Sequence, residues 1–454
     1  MRVGAIAKGH RRLVPAVAVV VLGLLVSVAP ESTSAIPGRR ATGSAGSGGW
    51  SQPVKLGSRG LETSLTVTHP GTTTVAWRAG SAFDNGPVHV RRQSAGKSWA
   101  KVEELGAAAN FVGVAANRHD LTVAAWFQRR RDGNRLMVAR RPAGGPWQQA
   151  VAINRRVPSG RLAVGPEVTV SDSGAVVVWW DEMVEEVDCG DRWWSYLTYA
   201  TPAGGWEAPH EVGDRSCQGG MAAAAIGVRG NVNVAYRTSS GLRFTRRIVG
   251  HGWTAPRVMT RRPSRFGPVL MRTPHGGTLV LAWERGDETG YEARRRVDGR
   301  WGPVRSWAPK DALEGGWDAA MDGRGTATLG WVDQDGVIRV KRWPRRGPMS
   351  VARTLVGPAG PTDEQRAELD VAAGSGGEAV VAFFAYIGAE LHILYRPRTG
   401  PWRRQPVLRG PTGLSGYELA VRASGAVDVT WIGERDRTQR GVWHSRLTPS
   451  GGSR

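Results

Sequence analysis

The feature that most constrains this chain is an internal repeat. A short apolar run ending in an aromatic residue occurs eight times: TTTVAW (Trp77), LTVAAW (Trp126), AVVVWW (Trp180), NVNVAY (Tyr236), TLVLAW (Trp283), TATLGW (Trp331), EAVVAF (Phe383) and AVDVTW (Trp431). Seven of the eight carry Gly six residues before the aromatic, at Gly71, Gly174, Gly230, Gly277, Gly325, Gly377 and Gly425, and Asp120 takes that place in the other copy. Both residue types tolerate tight-turn dihedrals, so each copy reads as a hairpin turn entering a buried strand.

A second marker, a Trp after Gly-rich turn chemistry, keeps the same register. It falls at Trp50, Trp99, Trp147, Trp206, Trp253, Trp301 and Trp402, with Met349 standing where Trp is expected. Successive copies are 49, 48, 59, 47, 48, 48 and 53 residues apart. Within the unit around residues 167–211, PEVTVS, AVVVWW, YLTYATP and WEAPHEV read as four strands, and helical periodicity is absent. Four short strands repeated in this way specify an all-β chain: a single β-propeller of eight four-stranded blades, or seven if one unit is spent elsewhere. The first strand, GGWSQPVKLG, has no unit of its own, and the last unit ends at HSRLTPSGG. The N-terminal strand is therefore expected to complete the last blade, closing the ring by pairing N- and C-terminal segments.

The N-terminus reads as a targeting signal. Arg2, Lys8, Arg11 and Arg12 precede the apolar stretch Leu13–Ala29, and Thr33-Ser34-Ala35 offers small residues to a signal peptidase. Residues 1–35 are expected to be a signal peptide, residues 36–47 (IPGRRATGSAGS) a flexible linker and residues 48–454 the propeller. The expected location is secreted and extracellular, the alternative being anchorage outside the membrane by an uncleaved segment.

The formal net charge is +22, and only six of the 61 basic residues are Lys. The Arg are scattered, in runs no longer than Arg129-Arg130-Arg131 and Arg294-Arg295-Arg296. This pattern reads as a solvated basic surface capable of non-specific polyanion binding, with no dedicated nucleic-acid motif.

Twenty Trp against seven Phe and seven Tyr exclude a disordered chain. Thirteen of the Trp occupy marker positions and read as core between blades. Trp179, Trp193, Trp194, Trp307, Trp317, Trp343 and Trp443 fall outside the pattern and are candidates for ligand contact. The stretched third interval contains DEMVEEVDCGDRWWSY, residues 181–196, in which acidic residues accompany Trp193, Trp194 and Tyr196. Those three aromatics are the leading ligand-contact candidates, suited to stacking on a sugar ring or a peptide. Cys189 lies in the same stretch and Cys217 in the following loop; in an exported chain they read as a disulfide pinning two long connections, with free thiols as the alternative.

The repeat resembles secreted bacterial β-propellers with sialidase-like or WD40-like blades, over roughly residues 48–452. The nearest approach to the sialidase Asp-box is VSDSGAVVVWW, where Asp172 and Gly174 fit and Val170 replaces the Ser. Trp180-Asp181 is a single instance of the WD pair. The resemblance implies the fold rather than an activity.

No G-x-S-x-G elbow, H-E-x-x-H, Walker loop or Rossmann fingerprint occurs, and the nine His are dispersed. No catalytic residue, metal ligand or cofactor is nominated. The sequence reads as an exported, non-catalytic, monomeric binding module for a glycan, cell-wall polymer or protein. The alternative is a sialidase-like glycoside hydrolase with its site at the propeller axis. Carboxylates and Arg converging with a Tyr at one mouth of the channel would favour the enzyme, and an Ala, Val and Gly lining the binding module.

Overall fold

A computed structural model describes residues 49–449, apart from 69, 81–85, 132, 158–160, 187–189, 217–221, 228, 263–266, 274–276, 285–290, 309–311, 358–367, 386–389, 410–412 and 435–439. The expected signal peptide and linker, and both Cys189 and Cys217, lie outside the described residues. Among the described residues every regular element is a strand.

The strands form eight antiparallel blades in a ring. Blade 1 spans residues 60–109, blade 2 109–157, blade 3 162–216, blade 4 222–260, blade 5 269–308, blade 6 312–356, blade 7 368–409 and blade 8 413–448 with 49–58. Blades 1 and 2 are continuous. The strand Glu103–Ala116 is the outer strand of one through Glu103–Ala109 and the innermost strand of the other through Ala109–Ala116. Closure occurs as expected: Gly49–Trp50 and Val54–Ser58 both pair with Arg440–Thr448, so the two ends of the chain share blade 8.

The turn chemistry follows the first marker. Gly71, Gly174, Gly230, Gly277, Gly325, Gly377 and Gly425 have φ between 79° and 106°, and Asp120 adopts 65°. All eight link an innermost strand to the second strand of its blade. Asp120 bears the cost of a non-Gly residue there with help, since Arg92 Nη2 donates to both of its carboxylate oxygens at 2.9 and 2.8 Å.

The second strand of each blade is flanked by strands within its sheet and by neighbouring blades on both faces, so it is buried along its length, polar residues such as Arg78, Asn233, Glu284 and Asp333 included. All seven residues are buried in Thr73–Ala79, Val232–Thr238, Thr278–Glu284 and Ala327–Asp333. Trp77, Trp126, Trp180, Trp283, Trp331 and Trp431 are at most 1% exposed, as core packing between blades requires. The Trp of the second marker are only half-buried, on the outer strands or the turns leading to them.

The Trp outside the markers are, like those of the first marker, mostly buried. Trp307 is 0% exposed and Trp179, Trp193, Trp194, Trp317 and Trp343 are 5–8% exposed; Trp443 is half-buried. Trp307 fills the space between blades 5 and 6, its ring centroid 4.9 Å from Tyr291 and 5.6 Å from both Trp317 and Trp331. A thin radial sheet needs large side chains on both faces, so positions outside a sequence marker are recruited to the core as well.

Candidate functional site

One register position recurs on the innermost strands: the residue paired with the one just before the marker aromatic. In chain order it is Ser64, Gly113, Glu167, Ala223, Val269, Asp318, Asp370 and Glu418. Three of these side chains lace one blade to the next. Val114 N–H donates to Ser64 Oγ at 3.0 Å, Val371 N–H to Asp318 Oδ2 at 2.7 Å and Leu65 N–H to Glu418 Oε2 at 3.3 Å. Gly113 marks a closer approach, because a Cβ there would stand 2.1 Å from Pro166 O.

Between blades 8, 1, 2 and 3 these strands line an open depression at the axis of the ring, here termed the axial mouth. Its wall presents Glu62, Glu167, Asp181 and Glu418, with Trp179, Trp180 and Tyr417. Two innermost strands are bulged here, at Val164/Glu167 and Leu414/Tyr417, with Gly165 and Gly416 at φ 48° and 141°. A bulge re-aims the residues that follow it, which is how Glu167 and Glu418 come to share one rim.

The carboxylates are held in place. Ser195 Oγ donates to Asp181 at 2.6 Å, and Glu418 receives the Leu65 N–H described above. Glu62 pairs in register with Arg78, whose guanidinium is pushed below its ordinary value by burial and partly restored by the Glu62 charge. Tyr417 is anchored by donation from its hydroxyl to Ala382 O at 3.3 Å. The wall thus joins carboxylates and a Tyr with Val112, Gly113, Val114 and Val164, and among the described residues no Arg or Lys belongs to it. Such a surface offers fixed acceptors to hydroxyl or ammonium donors and repels anions.

Among the described residues, the distinctive stretch of the long interval is strand. It lengthens the central hairpin of blade 3, where Val176–Glu186 pairs with Gly190–Ala200 from Val176↔Ala200 to Glu186↔Gly190. Trp193, Trp194 and Tyr196 therefore lie on a strand, at 7%, 5% and 3% exposure. Trp194 and Tyr196 pack into the core between blades 2 and 3, with Tyr196 stacked 5.7 Å from Trp180 and the Arg161 guanidinium 4.2 Å over the Trp194 ring. Arg161 Nη1 also donates to the fully buried Glu182 at 3.1 Å. This burial leaves the three aromatics little surface for a ligand. Trp179 and Asp181 fall among the residues that the sequence singles out, whereas Glu62, Glu167 and Glu418 do not stand out in a chain with 39 Asp and Glu. Their offset upstream of the marker aromatic is the signal that could have found them.

No protein-family model matches the chain, and no curated protein sequence does. Among solved structures it is similar to the BP39L lectin of Burkholderia pseudomallei, at 15% identity and a TM-score of 0.52, over 78% of this chain and 100% of the lectin. It is also similar to the polysaccharide lyase Uly1, at 9% identity and a TM-score of 0.48, over 85% of this chain and 89% of that one. The lectin of Aleuria aurantia aligns at 14% identity and a TM-score of 0.36, over 67% of this chain and 99% of its own. At this identity the first of these likenesses speaks to the propeller fold.

Proposed function

We propose that this chain is an exported, non-catalytic β-propeller that binds a glycan at its axial mouth. The observation that carries this reading is the wall of carboxylates, in which Glu62, Glu167 and Glu418 of the innermost strands gather with Asp181 of the neighbouring strand of blade 3. Carboxylate oxygens accept hydrogen bonds from sugar hydroxyls, and preorganised acceptors keep the cost of binding low. The excess of negative charge selects an uncharged or amino-bearing glycan. The lectin character of the propeller from Burkholderia pseudomallei agrees with this reading.

A glycoside hydrolase is the second reading, favoured by the same carboxylates. Sialidase-like chemistry would require an Arg cluster for the substrate carboxylate, which the wall does not supply. The test is retention on a panel of neutral and amino-bearing polysaccharides in about 0.5 M salt, where adsorption through net charge is screened. Retention that falls in the Glu62→Gln/Glu167→Gln double variant supports the axial site. Retention unchanged by that substitution, or none at all, sinks it, and new reducing ends in the bound polysaccharide would favour the hydrolase.

A further inference from the structure

A second cleft lies between blades 5 and 6, on the outer part of the ring, with about 1160 Å³ of open space. Its lining holds Arg295, Arg300, Arg305 and Lys341 and, among the described residues, no carboxylate. Asp298, in the turn just before Arg300, is not part of it. Arg300, Arg305 and Lys341 have no ion-pair partner among the described residues, and the first two are exposed. Arg295 is built in as the floor: its guanidinium lies 4.8 Å over the Trp343 ring, with Nη1 donating to Pro344 O and Nη2 to Gly347 O at 3.2 Å. Burial and the neighbouring Arg305 push Arg295 below its ordinary value, and burial does the same to Lys341. Four cations thus share a recess that would be relieved by an anion.

The repeat itself explains why the recess is here. Met349 lines the cleft at the one blade where the second marker lacks its Trp, and the smaller side chain leaves the space open. Trp301, half-buried against Phe244 with ring centroids 5.1 Å apart, forms part of the wall.

We infer that the cleft between blades 5 and 6 is a binding site for an anionic polysaccharide, with Arg300, Arg305 and Lys341 engaging carboxylate or sulfate groups and Trp301 supporting a sugar ring. Guanidinium forks match carboxylates and sulfates, and a single recess between two blades suits a few sugar units rather than an extended nucleic-acid track. The site is separate from the axial mouth, has opposite charge and does not depend on the reading proposed for it.

Calorimetric titration of the full chain with a polyuronate hexamer and a sulfated glucan hexamer tests this, against the uncharged hexamer and a DNA oligonucleotide of equal charge. Binding of either acidic sugar is expected to weaken by at least about tenfold, roughly 1.4 kcal/mol, in R300Q/R305Q/K341Q. It should be nearly unchanged in R129Q/R130Q/R131Q, which removes the same charge from an exposed stretch of blade 2. Equal losses in the two triple variants would reduce the effect to net charge and overturn the site. So would the absence of acidic-sugar binding, or oligonucleotide binding that is as tight and as sensitive to the same substitutions. A neutral glycan held at the axis would not respond to either variant, so the two readings fail separately.

Discussion

His444 Nε2 lies 2.7 Å from Asp428 Oδ1, a buried pair inside the blade that the two ends of the chain complete. Arg422 and Arg446 also donate to Asp428, and Arg422 reaches across to Gly71 O and Thr73 Oγ1 of blade 1. Burial alone would push the Asp428 carboxyl up, but hydrogen bonds from His444 and Arg422 hold it down at about 2. The ionised carboxylate accepts, so the neutral imidazole donates from Nε2. Burial, with the charges of Arg446 and Arg422, holds His444 below its ordinary value against the hydrogen bond and charge of Asp428.

The sign of the pH effect follows from these directions. A His with a depressed folded pKa is protonated more readily in the unfolded chain, so stability falls as pH drops below about 6.5. The Asp428 contribution persists further and is lost only as pH falls through about 2. The melting temperature is expected to decline between about pH 7 and about pH 5, and His444→Gln, which keeps a donor for Asp428, should reduce that decline. His89 is depressed too, by burial, so part of the slope should remain. An identical pH profile in wild type and His444→Gln would exclude His444 from the effect.

Ring closure rests on a short N-terminal segment. Ser445 Oγ donates to Ser51 O at 2.7 Å, Arg446 N–H to Ser51 Oγ at 2.9 Å, and Trp50 Nε1 to Pro406 O of blade 7 at 2.7 Å. Removing the chain through Ser58 would expose Leu56's partners, including the fully buried Val442, and leave Arg440–Thr448 as an open edge. Open edges pair with other chains. The truncated protein is expected to melt at lower temperature and to associate with rising concentration in light scattering. A monomer with unchanged melting temperature would show that blade 8 does not need its N-terminal strand.

Blade number, turn positions and closure were legible because each is written in residues with few alternatives. Gly at positive φ and a Trp ending an apolar run recur at a fixed spacing, and Asp120 fits the Gly position for a stated reason. Roles that depend on which face of a strand a side chain occupies were not legible. Trp193, Trp194 and Tyr196 resemble loop aromatics in sequence, yet continuous pairing of Val176–Glu186 with Gly190–Ala200 turns the stretch into sheet and buries them. The bulges that bring Glu167 and Glu418 together leave almost no sequence trace beyond Gly165 and Gly416. Met349 was visible as a departure from the marker, but its consequence, a cation-lined cleft, depends on the three-dimensional neighbours Arg295 and Lys341.

The lacing around the axis should be measurable at Asp318, which is 7% exposed and accepts from Val371 N–H of the next blade. Asp318→Ala leaves that buried donor without its acceptor, at a cost of about 1–3 kcal/mol. Asp318→Asn keeps an oxygen within reach and should cost less, although the charge that strengthens the bond is gone. In a domain of this size each kcal/mol corresponds to roughly 2–4 °C or less of melting temperature. The expected order is therefore wild type, then Asn, then Ala, with hydrogen exchange at Val371 accelerated most in Ala. Equal stability and equal Val371 protection in all three proteins would mean that the Asp318–Val371 bond contributes nothing to joining blades 6 and 7.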